Sequence, residues 1–315
     1  MPKQAVAFDI EQYVVQAGLP RGPKSAWYIY DPVNGSALNP GTSYKQPLAG
    51  LEAAYALTTG DQHDAILALA GDTGNSLAAA VTWSKDHTHL IGLSGDLPGM
   101  GQRCRITGSA AADLAVLMTI SGNANIFKNL QLFQGGDAAT ALGCAVVSGS
   151  RNYFKNVFFA GGGHATPAAD AGMYSLTLSG SENYFEDCTI GLDTVVRAAA
   201  NSELIISGAR NHFRRCRILS NSVTAGKFLV KIDNSGGDLR WTLFEDCVFI
   251  NYTENWANGI DNVFDMPAGG STHYVILKNC QAVGVNSGWA DTVTHIYSAD
   301  PAPNAGFGLS TNPTT

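Results

Sequence analysis

Charge is scarce in this chain. Of 315 residues only 14% are Asp, Glu, Lys or Arg, and they leave a formal net charge of −7 with a pI near 5.4. A surface that holds a phosphate backbone is basic, so this balance argues against nucleic acid as a partner. Long apolar runs are missing too: none approaches the roughly 20 residues that a membrane-crossing helix requires, so no membrane span is expected. The first residues, Met1 to Pro20, include Asp9 and Glu11 and lack a basic start followed by an apolar stretch. That excludes a recognisable secretory leader and points to synthesis in a cytoplasm. Cysteine is limited to Cys104, Cys144, Cys188, Cys216, Cys247 and Cys280, with no C-x-x-C pair, so no zinc or redox motif is present. A D-x-[DN]-x-[DN]-G calcium loop is also lacking.

What the chain does have is glycine, 35 residues of it, and a phrase that recurs between Ser121 and Cys280. It reads Ser121-Gly122-Asn123-Ala124-Asn125-Ile126-Phe127-Lys128-Asn129-Leu130. It returns from Ser148 to Val157, from Ser179 to Cys188 and from Ser207 to Cys216, with weaker copies at Leu243–Cys247 and Ile276–Cys280. Along the column 127, 154, 185, 213, 244 and 277, the steps are 27, 31, 28, 31 and 33 residues. A fixed phrase at a loosely varying period of this size marks a repeat architecture. The position of Phe127 and the one three later are apolar in every copy, while the position between them at plus two is polar: Asn129, Asn156, Asp187, Arg215, Asp246, Asn279. The apolar runs are short and end in Ser-Gly, as in Leu117–Ile120 and Cys144–Val147. Short β-rich runs bounded by Gly, Asn and Ser are strands and turns, not helices.

One strand-turn-strand phrase per repeat is the pattern of an all-β, single-stranded, right-handed parallel β-helix, here of about seven or eight turns. Its columns gain a physical meaning, because like residues stack roughly 4.8 Å apart along the axis. Leu130, Val157, Cys188, Cys216, Cys247 and Cys280 form one inward ladder in this reading. Phe127, Phe154, Phe185, Phe213, Phe244 and Leu277 form another. Leu90-Ile91-Gly92-Leu93 extends both columns backwards, with a step of 37 from Leu90 to Phe127. The cysteines are then buried, reduced thiols, with disulfides between rungs the alternative. Asn125, Asn152, Asn183 and Asn211 make an amide ladder, and Asn tolerates the left-handed backbone of a tight bend.

Residues 1–25 lack periodicity and are expected to be an N-terminal arm, either loose or docking the coil onto a larger assembly. Residues 26–297 are the capped coil, and the Pro-, Gly- and Ser-rich 298–315 is an extended tail. The opening of the coil runs Tyr28-Ile29-Tyr30-Asp31-Pro32-Val33-Asn34-Gly35-Ser36, then Asn39-Pro40-Gly41, then Leu48 to Leu57, then Asp61 to Gly71. Leu48, Leu51, Ala54, Tyr55 and Leu57 approximate helical spacing and predict a short helix that covers the open end. At these residues the chain resembles the pectate-lyase-like right-handed parallel β-helix superfamily. That resemblance implies the fold, and it spans polysaccharide lyases, glycosidases and bacteriophage tailspikes and surface proteins.

Chemistry on such a coil needs paired carboxylates across a groove, or a base beside a cation. The excursions after each aromatic strand are Gln134–Gly143, Gly161–Gly172, Gly191–Ser202, Ser220–Lys227 and Asn251–Gly259. Near them lie Asp137, Asp170, Asp193, Glu203, Glu254 and His164, none in a nameable motif. The pairs Glu186-Asp187 and Glu245-Asp246 share columns with Lys128, Lys155, Arg214, Arg215 and Lys278, which reads as a solvated face of cross-rung ion pairs. Trp27, Trp83, Trp241, Trp256 and Trp289 are sugar platforms or core filler. No catalytic, metal or cofactor residue is assigned. By its resemblance and its lack of a catalytic signature, the chain is expected to be a non-enzymatic phage virion surface protein. It would decorate the capsid or cap another virion structure as a homotrimer docked on other virion proteins. The alternatives are a tailspike-type glycosidase or lyase acting on host surface polysaccharide, and a non-catalytic adhesin for host surface glycan.

Overall fold

The computed structural model describes residues 18–69, 75–94, 104–108, 112–224, 226–234, 240–252, 260–267, 273–290 and 295–298. Residues 1–17 of the arm expected over 1–25, Glu254, Trp256 and the tail beyond Ser298 lie outside them. Strands stack in parallel along three faces of one right-handed coil of about seven turns. The first face holds Trp27–Tyr30, Asp64–Leu69, Thr88–Leu93, Ile126–Phe133, Tyr153–Ala160, Tyr184–Glu186, Asn211–Arg214, Trp241–Glu245, Tyr274–Lys278 and Ile296–Ser298. After a bend the second face continues through Cys104–Gly108, Thr189–Arg197, Arg217–Ser222, Val248–Asn251 and Gln281–Val283. The third is an eight-stranded sheet from Val81–Trp83 to Val285–Ala290, and its strands end at the Ser-Gly of each phrase.

The aromatic column is inward and in register: Phe127 opposes Phe154, Phe154 opposes Phe185, Phe185 opposes Phe213, and Phe213 opposes Phe244. Their rings stack with centroids 5.0, 4.6, 4.6 and 4.8 Å apart and planes within 11° of parallel. Stacked pairs of this kind add about 0.5–1.5 kcal/mol each beyond the area they bury. All six cysteines are buried and unbridged. In the inward ladder each thiol reaches the carbonyl of the aromatic residue one rung back, as in Cys188 Sγ to Phe154 O at 3.5 Å and Cys247 Sγ to Phe213 O at 3.4 Å. A thiol here is small enough to fill the column and polar enough to pair that carbonyl. One column differs from the sequence reading: Leu130 is opposed by Cys104, not by Leu93, which pairs with Leu69. Ile126–Phe133 is opposed by Thr88–Leu93 only at Phe127 and Lys128, and by Cys104–Gly108 from Leu130 on, so Cys104 takes the ladder position of that rung.

In the four central rungs two left-handed residues bracket the aromatic position of the first face. The polar plus-two position supplies one, with φ of 57° at Asn129, 51° at Asn156, 55° at Asp187 and 51° at Arg215. The other is the residue before each ladder Asn: Ala124, Arg151, Glu182 and Arg210, with φ of 55–60°. The ladder asparagines themselves are not the left-handed residues. Their task is hydrogen bonding, and the bend falls on a neighbour whose side chain is free to point outward. The repeated glycine has a different cause. A Cβ on Gly149, Gly180 or Gly208 would lie 1.9–2.0 Å from the carbonyl oxygen of the matching glycine one rung back.

The expected helix is Leu51–Leu57, and it plugs the first end of the coil with Leu51 and Ala54 buried. Tyr55 packs on Trp83 with the ring planes tilted by 33° and centroids 4.4 Å apart, while its hydroxyl accepts the amides of Ser84 and Lys85. Leu57, read as part of the apolar stripe, is instead 45% exposed, because the helix ends there. Leu19 packs outside the coil on Ile29, Ala65, Leu67 and Ile91.

Candidate functional site

Of the six candidate chemical residues, the five that fall within the described residues divide into different tasks. Asp137 and Asp193 are exposed on separate turns of the coil. Asp170 closes a local turn by accepting the Gly172 amide at 2.7 Å. His164 caps the short helix Ala165–Ala168 by accepting the Thr166 amide through Nδ1 at 3.3 Å. Glu203 is fully buried. Its Oε1 meets Arg197 Nε at 2.9 Å, Lys227 Nζ at 3.3 Å and the Ser220 hydroxyl at 3.1 Å, while Oε2 accepts the Ser175 hydroxyl at 2.6 Å. Arg197 also donates to the carbonyls of Gly161 and Gly162, both at 2.8 Å, and Lys227 donates to Asn201 Oδ1.

Burial alone would raise the Glu203 carboxyl, but Arg197 and Lys227 hold it down at about 2. Burial lowers the Lys227 ammonium to about 8 against the pull of Glu203. Arg197, Glu203 and Lys227 have no solvent exposure, so this network is a clamp that joins three excursions rather than a reaction centre. Arg197 and Lys227 escaped the sequence reading because no period links them to Glu203. Each comes from an excursion, where the repeat imposes no column.

On the outer face the acid pairs are engaged as the alternating columns suggest. Arg215 bridges Glu186 at 2.5 Å and Asp187 at 2.7 Å, and Glu186 also accepts from Tyr153. Glu245 pairs with Lys278 at 2.5 Å and lies 3.6 Å from Arg214, and Asp246 accepts from Asn279 at 2.7 Å. Of the tryptophans, Trp83 and Trp289 are core, while Trp27 and Trp241 are half-buried on the outside.

A groove of about 520 Å³ follows the corner between the third face and the first. Asp86, Asn123, Ser150 and Ser181 form its shelf, each holding the next rung: Asp86 accepts the Asn123 amide at 2.7 Å, Asn123 that of Ser150 at 2.8 Å, and Ser150 that of Ser181 at 3.1 Å. Its wall is the left-handed column of Arg151, Glu182 and Arg210. Glu182 Oε2 meets Arg151 Nε at 2.7 Å and Oε1 meets Arg210 Nη2 at 2.7 Å. The hydrogen bond from Arg151, joined by the charge of Arg210, holds the Glu182 carboxyl below its ordinary range. The sequence reading passed over this corner because Ala124, Arg151, Glu182 and Arg210 share no residue type.

No family model and no curated protein matches the sequence. Solved structures do match the fold. A pectin methylesterase in complex with a hexasaccharide aligns at 14% identity with a TM-score of 0.55, over 87% of this chain and 80% of its own. Pectate lyase Pel9A aligns at 16% identity with a TM-score of 0.53, over 92% and 83%. At this identity the likeness is one of fold, a parallel β-helix.

The groove's chemistry is limited by its spacing. Its two carboxylates, Asp86 and Glu182, stand three rungs apart in their columns, roughly 14 Å at the strand spacing. Carboxylate pairs that hydrolyse glycosidic bonds are about 5–9.5 Å apart. A general acid also needs a raised pKa, and Glu182 has a lowered one. Among the described residues no group of three or more His, Cys, Asp and Glu is placed to hold a metal ion.

Proposed function

We propose that this chain is a non-enzymatic structural protein of a bacteriophage virion surface. It decorates the capsid or caps another virion structure, as a homotrimer docked on other virion proteins. The observation that supports this reading is the state of the groove's central carboxylate: both oxygens of Glu182 are held by arginines. The other engaged acids follow suit, tying rung to rung or excursion to excursion. Groups that could do chemistry are consumed in stiffening the coil, which suits a load-carrying surface element. Mass-resolved protein counting on purified particles tests the reading. Copies in proportion to capsid subunits support decoration, a few copies support a tail position, and absence from the particle overturns it.

A glycan-cleaving enzyme of tailspike type is the second reading, and the open, polar corner groove is the observation that favours it. Incubation with host capsular and O-antigen polysaccharides decides between the two. Chain shortening would displace the first reading.

A further inference from the structure

We infer that the corner groove and the two aromatic residues beyond it form a binding site for a neutral oligosaccharide lying along the coil axis. The inference rests on the non-catalytic reading of this groove and not on any virion location. Past Arg210 the same column continues with Trp241, whose carbonyl accepts the Arg210 amide at 2.6 Å, and then with Tyr274, opposite Trp241 in register. Trp241 is half-buried and Tyr274 is 43% exposed. One strip of the corner therefore offers polar groups over three rungs and aromatic rings over the next two.

The polar part suits hydroxyl groups. A hydroxyl donates once and accepts, so it pairs best where a fixed acceptor and a fixed donor lie side by side. Glu182 and its two arginines supply that pairing in a locked arrangement. Each carboxylate oxygen has one arginine bond and a lone pair left over, and the Arg151 side chain is 72% exposed. Arg210 Nε is buried with no hydrogen-bond partner among the described residues. The charges of Arg151 and Arg210 are balanced by Glu182 and Asp86, so the site has no surplus with which to capture an anion. A neutral ligand is the consequence. Trp241 and Tyr274 add flat apolar faces with a polar edge, which suit the C–H face of a sugar ring. The rungs advance by roughly 4.8 Å, close to the length of one pyranose unit, so successive sugars would meet successive rungs. The strip is built on strands whose bends are hydrogen-bonded across rungs, and a preformed site loses little entropy on binding.

Saturation-transfer NMR and tryptophan fluorescence test this, with hexasaccharides of glucose, galactose, mannose and rhamnose as probes and hexagalacturonate as the acidic comparison. At least one neutral hexasaccharide is expected to bind. Trp241→Ala and Arg210→Ala are expected to weaken that binding by at least about tenfold, and Trp241→Phe to retain most of it. Thermal unfolding of each variant checks that the coil is intact. The exposed Arg151→Ala stands in for either alanine variant that fails to fold. No binding of any neutral probe, binding of the acidic probe alone, or binding unchanged in the folded variants overturns the inference. Release of shortened products from a bound neutral probe upholds the site and overturns its non-catalytic reading.

Discussion

Asn152 and Asn183 are joined across a rung: the backbone N–H of Asn152 donates to Asn183 Oδ1 at 2.9 Å. The same amide turns its Nδ2 to the carbonyl of Gly149 at 3.1 Å, so one side chain closes two backbone groups of the preceding rung. Both sites are buried. Asn183→Ala removes the two partners together, and each buried group left unpaired costs roughly 1–3 kcal/mol. Chemical denaturation should show a clear loss of stability for Asn183→Ala and a smaller one for Asn183→Asp, which keeps the acceptor. Equal stability of Asn183→Ala and wild type would mean that the ladder contributes nothing.

The glycine one bend earlier is constrained by space instead. A Cβ on Gly180 would sit 1.9 Å from the Gly149 carbonyl oxygen, a backbone atom that cannot move without breaking the rung stack. Gly180→Ala is expected to prevent folding or to cost more than about 4 kcal/mol, the range reserved for large structural conflicts. Gly50→Ala is the control. Its Cβ would meet only the far end of the Glu52 side chain at 3.3 Å, and the expected cost is at most about 1 kcal/mol. Soluble yield and denaturant midpoints of the two variants give the comparison.

The aromatic and asparagine columns were legible in the sequence because a coil forces like environments onto like positions. Phe185 and Phe213 could be paired from the phrase alone, and so could Asn183 and Asn211. What the phrase could not give was anything that occurs once. Arg197 and Lys227 come from excursions of unequal length, and their meeting with Glu203, which stands on the strand Ser202–Ile206, is a tertiary event without a period. The wall of the groove was hidden for a different reason. Its left-handed bend selects a backbone conformation and leaves the outward side chain unconstrained, so Ala124, Arg151, Glu182 and Arg210 look unrelated until the rungs are stacked.

The buried clamp gives a contrast between acids. Glu203→Gln leaves the Arg197 and Lys227 cations buried without a counter-charge, and breaking a buried pair in this way costs about 3–5 kcal/mol. Asp137→Asn and Asp193→Asn remove exposed carboxylates and should change stability by less than about 0.5 kcal/mol. Urea titrations of the three variants check the ordering. A stable Glu203→Gln protein would show that the network is dispensable.

His89 makes stability depend on acid. Its Nδ1 accepts the Ile126 amide at 3.1 Å, so its proton resides on Nε2, which faces His63 Nδ1 at 3.2 Å. Burial, with the nearby His63 and His87, pushes its pKa down to about 3, and burial pushes that of His273 down to about 4. In the unfolded chain both rings take up protons near pH 6.5, where the folded chain does not. The stability is therefore complete above about pH 6.5 and is lost as pH falls towards 3–4, because protons favour the unfolded state throughout that window. Glu203 adds to the loss only in stronger acid, below its ordinary range and towards about 2. Urea midpoints measured from neutral pH to about pH 4 should fall steadily, and His89→Gln should flatten the slope. A pH-independent midpoint across that range would refute the assignment.

The thiols follow from the same burial. Cys104 and Cys144 are pushed up to about 12 by burial, and Cys216 and Cys247 are pushed well above the usual thiol range for the same reason. The reactive species is the thiolate, so these groups are protected twice, by proton affinity and by lack of access. Cys216 and Cys247 lie in the core, one rung apart, and no path reaches them unless rungs separate. Ellman's reagent should therefore leave all six cysteines unmodified in the folded protein and modify all six in guanidinium. Under native conditions the slow reaction should keep pace with unfolding rather than with reagent concentration, since opening the coil becomes the limiting step. Prompt labelling of Cys188, Cys216, Cys247 or Cys280 would mean that the coil opens locally at that rung, and the stacked aromatic column could not then be the continuous element that holds it.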